Sequence, residues 1–327
     1  MNSMYAYLPQ KEFYQDLQDV EQGLLNCLDT ANPVLQESLS HLLMAGGKRL
    51  RPTFALLAAR CNPDVTNLEN LIPLAVSLEL IHMASLVHDD IIDLSVLRRG
   101  LPTLWTKWGD RVSVHIGDFL FARALVLISE YNDPRIYRVL SKTGVRMCEG
   151  EIQQMASTCQ SSHSVRKYLN RVSRKTALLI SASCQLGAIA VNSPAKHISL
   201  LKNYGHNLGM AFQITDDLLD LIAEPTKLGK PIGNDLRQGI VTLPVILAMQ
   251  NNAHRQFFSR LLIADHKSES EIEEAVARIK QSGSLQVCDN IVNKYIWKAK
   301  EKIAGLPDTK AKESLIWIAD MIPSRSF

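Results

Sequence analysis

The sequence predicts an all-α protein, and three observations carry that prediction. Apolar residues recur at helical spacing through most of the 327 positions. Alternating runs of β-branched residues, the mark of strands, are scarce. Proline, glycine and Asx residues cut the chain at helix-length intervals. In order, the cuts fall near Asn32-Pro33, Ala45-Gly47, Asn62-Pro63, Gly100-Pro102, Asn132-Pro134, Asn192-Pro194, Glu224-Pro225, Lys230-Gly233 and Leu306-Pro307. They leave room for about ten or more helices. No Ser/Gly linker, repeat or low-complexity tract intervenes, so residues 1–327 are expected to form a single domain. The last third, residues 251–327, is more charged and carries no chemical motif. A helical flank that packs on the core or serves a partner is expected there.

Composition narrows the function. A hydrophobic content of 46% suits a globular protein with a sizeable core. The net charge of +3 gives no reason to expect nucleic acid or an anionic membrane as partner. Six scattered cysteines form no CxxC pair, which suits free thiols in a reducing cytoplasm. Residues 1–10 do not read as a signal peptide. Residues 71–87 are apolar but interrupted by Pro73, Glu79 and His82, and residues 177–191 are short and contain Ser181, Ser183 and Gln185. Both fall below the roughly 20 clean residues of a membrane span, so buried core helices are expected, with at most peripheral membrane contact.

The chemistry gathers around two acidic segments. In His88-Asp89-Asp90-Ile91-Ile92-Asp93 the outer acids stand four apart, one helical turn, and share a face. Three acids in one turn repel each other, and cations relieve that repulsion. Mg²⁺ in particular takes one or two carboxylates together with water and phosphate oxygens. The arrangement recurs at Asp216-Asp217-Leu218-Leu219-Asp220, again inside an apolar stretch. One such turn is ordinarily a solvated face or a cap. Two suggest carboxylate clusters in a helix-bundle cavity. Gly46-Gly47-Lys48-Arg49-Leu50-Arg51-Pro52 places three cations beside a glycine pair, a cradle suited to a metal-free diphosphate. Arg98-Arg99, Arg174-Lys175-Thr176 and Lys230 add donors, although each basic cluster alone would pass for surface charge.

These segments resemble those of the trans (head-to-tail) isoprenyl diphosphate synthase family. The matches are GGKRLRP (46–52), LELIHMASLVHDDIID (78–93), LRRGLPT (97–103), Gly150-Glu151 with Gln154, RKTA (174–177), FQITDDLLD (212–220), LGKPIGNDL (228–236) and VTLPV (241–245). They stand in the family's order. MASLVHDD, LRRGLPT, RKTALLI followed by CQLGAIA, and GNDLRQGIVTLP resemble the two-component bacterial branch whose product is a heptaprenyl chain.

The resemblance implies an isoprenoid synthase helical bundle with a central active-site cavity. It implies that Asp89, Asp93, Asp216 and Asp220 bind about three Mg²⁺ ions on an allylic diphosphate, supported by Asp90 and Asp217. Arg98, Lys175, Thr176, Gln213 and Lys230 would contact the allylic substrate, farnesyl diphosphate. Lys48, Arg51, His82 and Arg99 would hold isopentenyl diphosphate. His82 alone would pass for a core histidine, and only the motif promotes it. Many family members carry Lys where this chain has Ile240, a substitution the two-component relatives share. Metal and cations would stabilise departing pyrophosphate, and the isopentenyl double bond would attack the allylic cation. The proton would leave with pyrophosphate, behind apolar walls that keep out water.

Product length is expected to depend on Ala84 and Ser85, about 6–8 Å below Asp89 along the helix axis. Small residues there leave an open tunnel, although close helix packing would use them too. A small regulatory subunit is the expected partner, with a self-sufficient homodimer as the alternative. A terpene cyclase would lack the second diphosphate cradle, and a non-catalytic subunit would have lost aspartates that this chain keeps.

Overall fold

Proline and Asx residues start the helices where the punctuation places them. In the computed structural model, which describes residues 11–157, 164–222, 232–264 and 266–323, α1 runs Lys11–Leu28 and α2 Pro33–Met44. The Asn32 side chain caps α2 by accepting from the Leu35 amide, with proline in the first turn. Then come α3 (Leu50–Arg60), α4 (Ile72–Ile92), α5 (Leu104–Ser129) and α6 (Pro134–Ser157). They are followed by α7 (Val165–Val172), α8 (Leu178–Ala190) and α9 (Ala195–Ile222). Four shorter elements are α10 (Asn234–Arg237), α11 (Leu243–Ala248), α12 (Asn252–Ile263) and α13 (Glu269–Gln281), and α14 (Ser284–Ile303) and α15 (Lys310–Met321) close the chain. The all-α expectation holds.

One small departure is a two-residue hairpin, β1 (Leu97–Arg98) against β2 (Leu101–Pro102), in antiparallel register. Its turn residues Arg99 and Gly100 have φ of 53° and 80°. Positive φ at both central positions is what a type I′ turn requires. Gly100 supplies it without strain; Arg99 does not.

The described chain forms two compact units, each assembled from separated stretches. The first takes residues up to Leu140, Ala182–Lys202 and Leu306–Leu315. Within it α4 packs along α5, and Leu56, Leu74, Leu78 and Leu120 are buried in its core. The second takes Ser141–Ser181, Asn203–Gly305 and Ile316–Phe327. Its core includes Tyr168, Leu208, Ile214, Phe258 and Ile279. The C-terminal third is therefore more than a flank. Helices α12 to α14 build the second unit, α14 packs on α11, and Leu306–Leu315 belong to the first.

Among the described residues, two helical stretches, Glu69–Ile92 and Leu104–Ser129, are long and apolar enough to cross a membrane by length and composition. The first overruns the apolar run at 71–87 at both ends, so length does not exclude a span there. Burial decides the matter better: Leu74, Ala75, Leu78, Leu80 and Val87 are all enclosed in the first unit. Helix α5 was not singled out by its sequence; Gly109 interrupts it with φ of 78°, and Leu125 and Val126 are exposed. The 177–191 run forms α8, whose Leu179, Ile180, Cys184 and Leu186 are buried, as a core helix should be.

Candidate active site

The first acidic turn ends α4. Asp89 is half-buried, Asp90 is buried, and Asp93 is the C-cap, its amide donating to the Asp89 carbonyl at 2.8 Å. Asp90 is committed to Arg98, whose Nε lies 2.8 Å from both carboxylate oxygens and whose Nη2 lies 2.6 Å from one. A forked, charge-assisted pair of this kind fixes the geometry of both groups. It ties the acidic turn to the hairpin carrying Arg98 and Arg99. The Trp105 indole reinforces the connection by donating to the Ser95 carbonyl at 2.8 Å.

The basic loop enters α3 through Arg49, which adopts φ of 45°, a conformation that costs energy in a non-glycine residue. Surrounding contacts over-determine it. Its guanidinium donates to Glu21 at 2.6 Å and to Glu79 at 3.3 Å, and Arg49 and Glu79 are both buried. Arg49 thus anchors the loop, while Lys48 is exposed and Arg51 half-buried on either side. Neither Glu21 nor Glu79 was expected at the site; Glu79, three residues before His82, stood out in the sequence only as an interruption of the apolar run at 71–87. The His82 imidazole is held well below its ordinary pKa, by burial first and then by the guanidinium groups of Arg51, Arg99, Arg98 and Arg49. It is therefore a neutral donor in a cationic neighbourhood, and the neighbourhood suits an anion.

The second acidic turn lies in α9. Asp216 and Asp220 are half-buried and Asp217 is buried. Asp220 accepts from the Asn234 and Asp235 amides at 3.2 and 3.1 Å, at the start of α10. Asp217 accepts from the Tyr168 hydroxyl at 2.6 Å and from Gln213 Nε2 at 2.9 Å. Thr176 donates to Gln213 Oε1 at 2.6 Å. Burial raises the Asp217 carboxyl to about 6, against the lowering effect of those two hydrogen bonds. Lys175 pairs with Glu151 at 3.5 Å. Lys175 and Thr176 lie in a π-helical turn, Ser173–Ala177, a form concentrated at functional sites. Gly209 permits the packing: a Cβ there would stand 2.6 Å from the Ala177 Cα, and Gln213 follows one turn later on α9.

In the first unit the structure thus brings Asp90 to Arg98, and the nearby cations to His82. In the second it brings Thr176, Gln213 and Asp217 together. Ala84 is fully buried, and Ser85 is half-buried with its hydroxyl donating to the His82 carbonyl at 2.8 Å. Ile240 donates its amide to the Asp235 carbonyl at 2.8 Å. Lys230 lies outside the described residues. Among the described residues, no group of three or more His, Cys, Asp or Glu side chains forms a cage for a metal ion. Outer carboxylates one turn apart on a helix suit Mg²⁺ nonetheless, because that ion keeps water and substrate phosphate oxygens in its shell.

An all-α chain with two DDxxD turns and separate sets of cationic donors fits the class of polyprenyl synthases. The chain belongs to the polyprenyl synthetase family, whose model matches residues 32–279, and it is a trans-prenyltransferase. It is 42% identical over 327 residues to heptaprenyl diphosphate synthase component 2 of Geobacillus stearothermophilus, covering 100% of this chain and 99% of the relative. To the component 2 protein of Bacillus subtilis it is 39% identical over 328 residues, covering 100% and 93%. Among solved structures it is similar to heptaprenyl diphosphate synthase from Staphylococcus aureus, with TM-score 0.90, 38% identity, and 96% and 99% of the two chains covered. It is also similar to a polyprenyl synthase from Caulobacter crescentus complexed with calcium and isoprenyl diphosphate, with TM-score 0.90, 34% identity and 95% of each chain covered.

Proposed function

We propose that this chain is the catalytic component of a two-component heptaprenyl diphosphate synthase. It adds isopentenyl units head-to-tail to farnesyl diphosphate, in a single catalytic domain, giving an all-trans chain of about 35 carbons, seven five-carbon units, for a menaquinone side chain. The observation that carries this reading is the full-length similarity to two relatives named component 2. The calcium and isoprenyl diphosphate in the Caulobacter crescentus relative support a divalent ion beside the substrate. A cytoplasmic location belongs to the same reading, supported by the free thiols at Cys27, Cys61, Cys148, Cys184 and Cys288.

Asp89, Asp93, Asp216 and Asp220 are the residues that would hold Mg²⁺. When bound, the ions neutralise charge on the departing pyrophosphate. The remaining work falls to the chain. Arg98, held by Asp90, and Lys175, beside Glu151, supply fixed positive charge to the allylic diphosphate. Thr176 and Gln213 orient it. Lys48, Arg51, Arg99 and the neutral His82 bind isopentenyl diphosphate, so that its double bond meets the allylic carbon at the moment of ionisation. Apolar side chains, among them the buried Leu80, Ala84 and Val87 of α4, would keep water from the cation. No side chain is needed as base, because the proton leaves with pyrophosphate.

The test is incubation of this chain with farnesyl diphosphate, labelled isopentenyl diphosphate and Mg²⁺, alone and with a candidate small subunit. The two-component reading expects long labelled product only in the mixture. Robust long-chain synthesis by the chain alone would replace it with a self-sufficient homodimer.

A further inference from the structure

Among the buried polar groups that the mechanism does not use is the Tyr168 hydroxyl. Tyr168 is 2% exposed and lies in α7, seven residues before Lys175 and 49 before Asp217. Its hydroxyl donates at 2.6 Å to one oxygen of Asp217, and Gln213 Nε2 donates at 2.9 Å to the other. The Gln213 carbonyl oxygen in turn accepts from Thr176 at 2.6 Å. Chemistry fixes the sense of this chain. A carboxylate only accepts, so the amide nitrogen of Gln213 must face Asp217 and its oxygen must face Thr176. One N–H of the amide is thereby used, and the direction of the second is set by the same plane. Arg171 holds α7 in place, stacking over the Tyr168 ring at 5.4 Å and donating to the Val241 carbonyl at 2.6 Å.

We propose that Tyr168 is a positioning residue for the allylic diphosphate. By anchoring Asp217 it sets the amide plane of Gln213 and the hydroxyl of Thr176, and so the donor geometry beside the second acidic turn. Asp217 then serves as an internal acceptor that orients its neighbours. The inference rests on the proposed reaction and deepens it at one site. A merely structural tyrosine would affect the whole fold; a positioning one affects a single substrate.

The experiment compares wild type with Tyr168→Phe, Asp217→Asn and the double variant, always with the same small subunit. Wild-type incorporation of labelled isopentenyl diphosphate tests the reaction itself, independently of Tyr168. Tyr168→Phe is expected to keep a melting temperature close to wild type. Its kcat/KM for farnesyl diphosphate should fall about 10- to 100-fold, the effect of one lost hydrogen bond to a charged group, while KM for isopentenyl diphosphate stays unchanged. Calorimetric titration with pyrophosphate and Mg²⁺ should show weaker binding. The double variant should lose less than the sum of the single losses, because both changes break one chain of hydrogen bonds. If Tyr168→Phe alone is unstable, the double variant has no unpaired buried carboxylate and gives the same comparison against Asp217→Asn. Unchanged kinetics, strictly additive losses, or equal losses for both substrates alongside a lowered melting temperature would each overturn the proposal.

Discussion

The two acidic turns share one spelling and differ in what surrounds their central acids. Asp90 answers to a cation, Arg98, only eight residues away on a local hairpin. Asp217 answers to neutral donors, Tyr168 and Gln213, and its main partner is 49 residues away in sequence. The consequence is electrostatic. Burial raises Asp217 to about 6, against the lowering effects of the Tyr168 and Gln213 hydrogen bonds and of the Arg171 charge. The comparison teaches that each central acid works as an internal fastener, one for the Arg98–Arg99 hairpin and one for the Thr176–Gln213 donors. The outer acids, Asp89 with Asp93 and Asp216 with Asp220, are then the candidates for metal.

That division can be broken by mutation. The largest effects belong to the outer acids: Asp89→Ala and Asp216→Ala should each lower kcat by about 10³-fold, the scale of a lost transition-state stabiliser. Steady-state incorporation of labelled isopentenyl diphosphate measures it. The central acids should be unequal. Asp90→Asn removes the counter-charge of Arg98 and should cost about 1.5–3 kcal/mol in kcat/KM for the allylic substrate. Asp217→Asn, whose single amide oxygen can still accept from one of the two neutral donors, Tyr168 or Gln213, should cost less. Equal losses would erase the distinction between a charged and a neutral fastener.

A smaller effect is expected in product rather than rate. Ala84→Phe should shorten the chain-length distribution, read by chromatography of the dephosphorylated products, with about 1–3 kcal/mol of overpacking cost in stability. An unchanged distribution would show that Ala84 is small only for close packing.

The smallest effect is a pH dependence in the first unit. The pKa of His82 is lowered on folding, so its contribution to stability is present above the ordinary value of 6.5 and is lost as pH falls below it. His82→Gln, which cannot protonate, should have a flatter melting temperature between neutral and mildly acidic pH. Identical slopes in the two proteins would remove His82 as the source.

Much of this was legible in the sequence because it depends on local geometry. Four-residue spacing puts Asp89 and Asp93 on one helical face without knowledge of the rest of the chain, and Asn32-Pro33 announces a helix start by its own chemistry. What was illegible depends on packing across long separations. Nothing in the sequence marks Glu21 as the partner of Arg49, 28 residues on, or Tyr168 as the partner of Asp217. The π turn at Ser173–Ala177 was likewise hidden, because Ser-Arg-Lys-Thr-Ala reads as an ordinary helix. The hairpin at Arg99-Gly100 was read only as a break, since two paired residues per strand are too few for a β pattern. Arg49, grouped with its neighbours as a diphosphate donor, turned out to be spent on two glutamates.

The most direct test of the central claim is Mg²⁺-dependent transfer in a mixture of this chain with a candidate small subunit. Labelled isopentenyl diphosphate and farnesyl diphosphate should yield acid-labile labelled lipid in Mg²⁺, none after chelation with EDTA, and almost none with Asp89→Ala or Asp216→Ala. Incorporation that survived EDTA, or that persisted at wild-type level in both variants, would contradict the account.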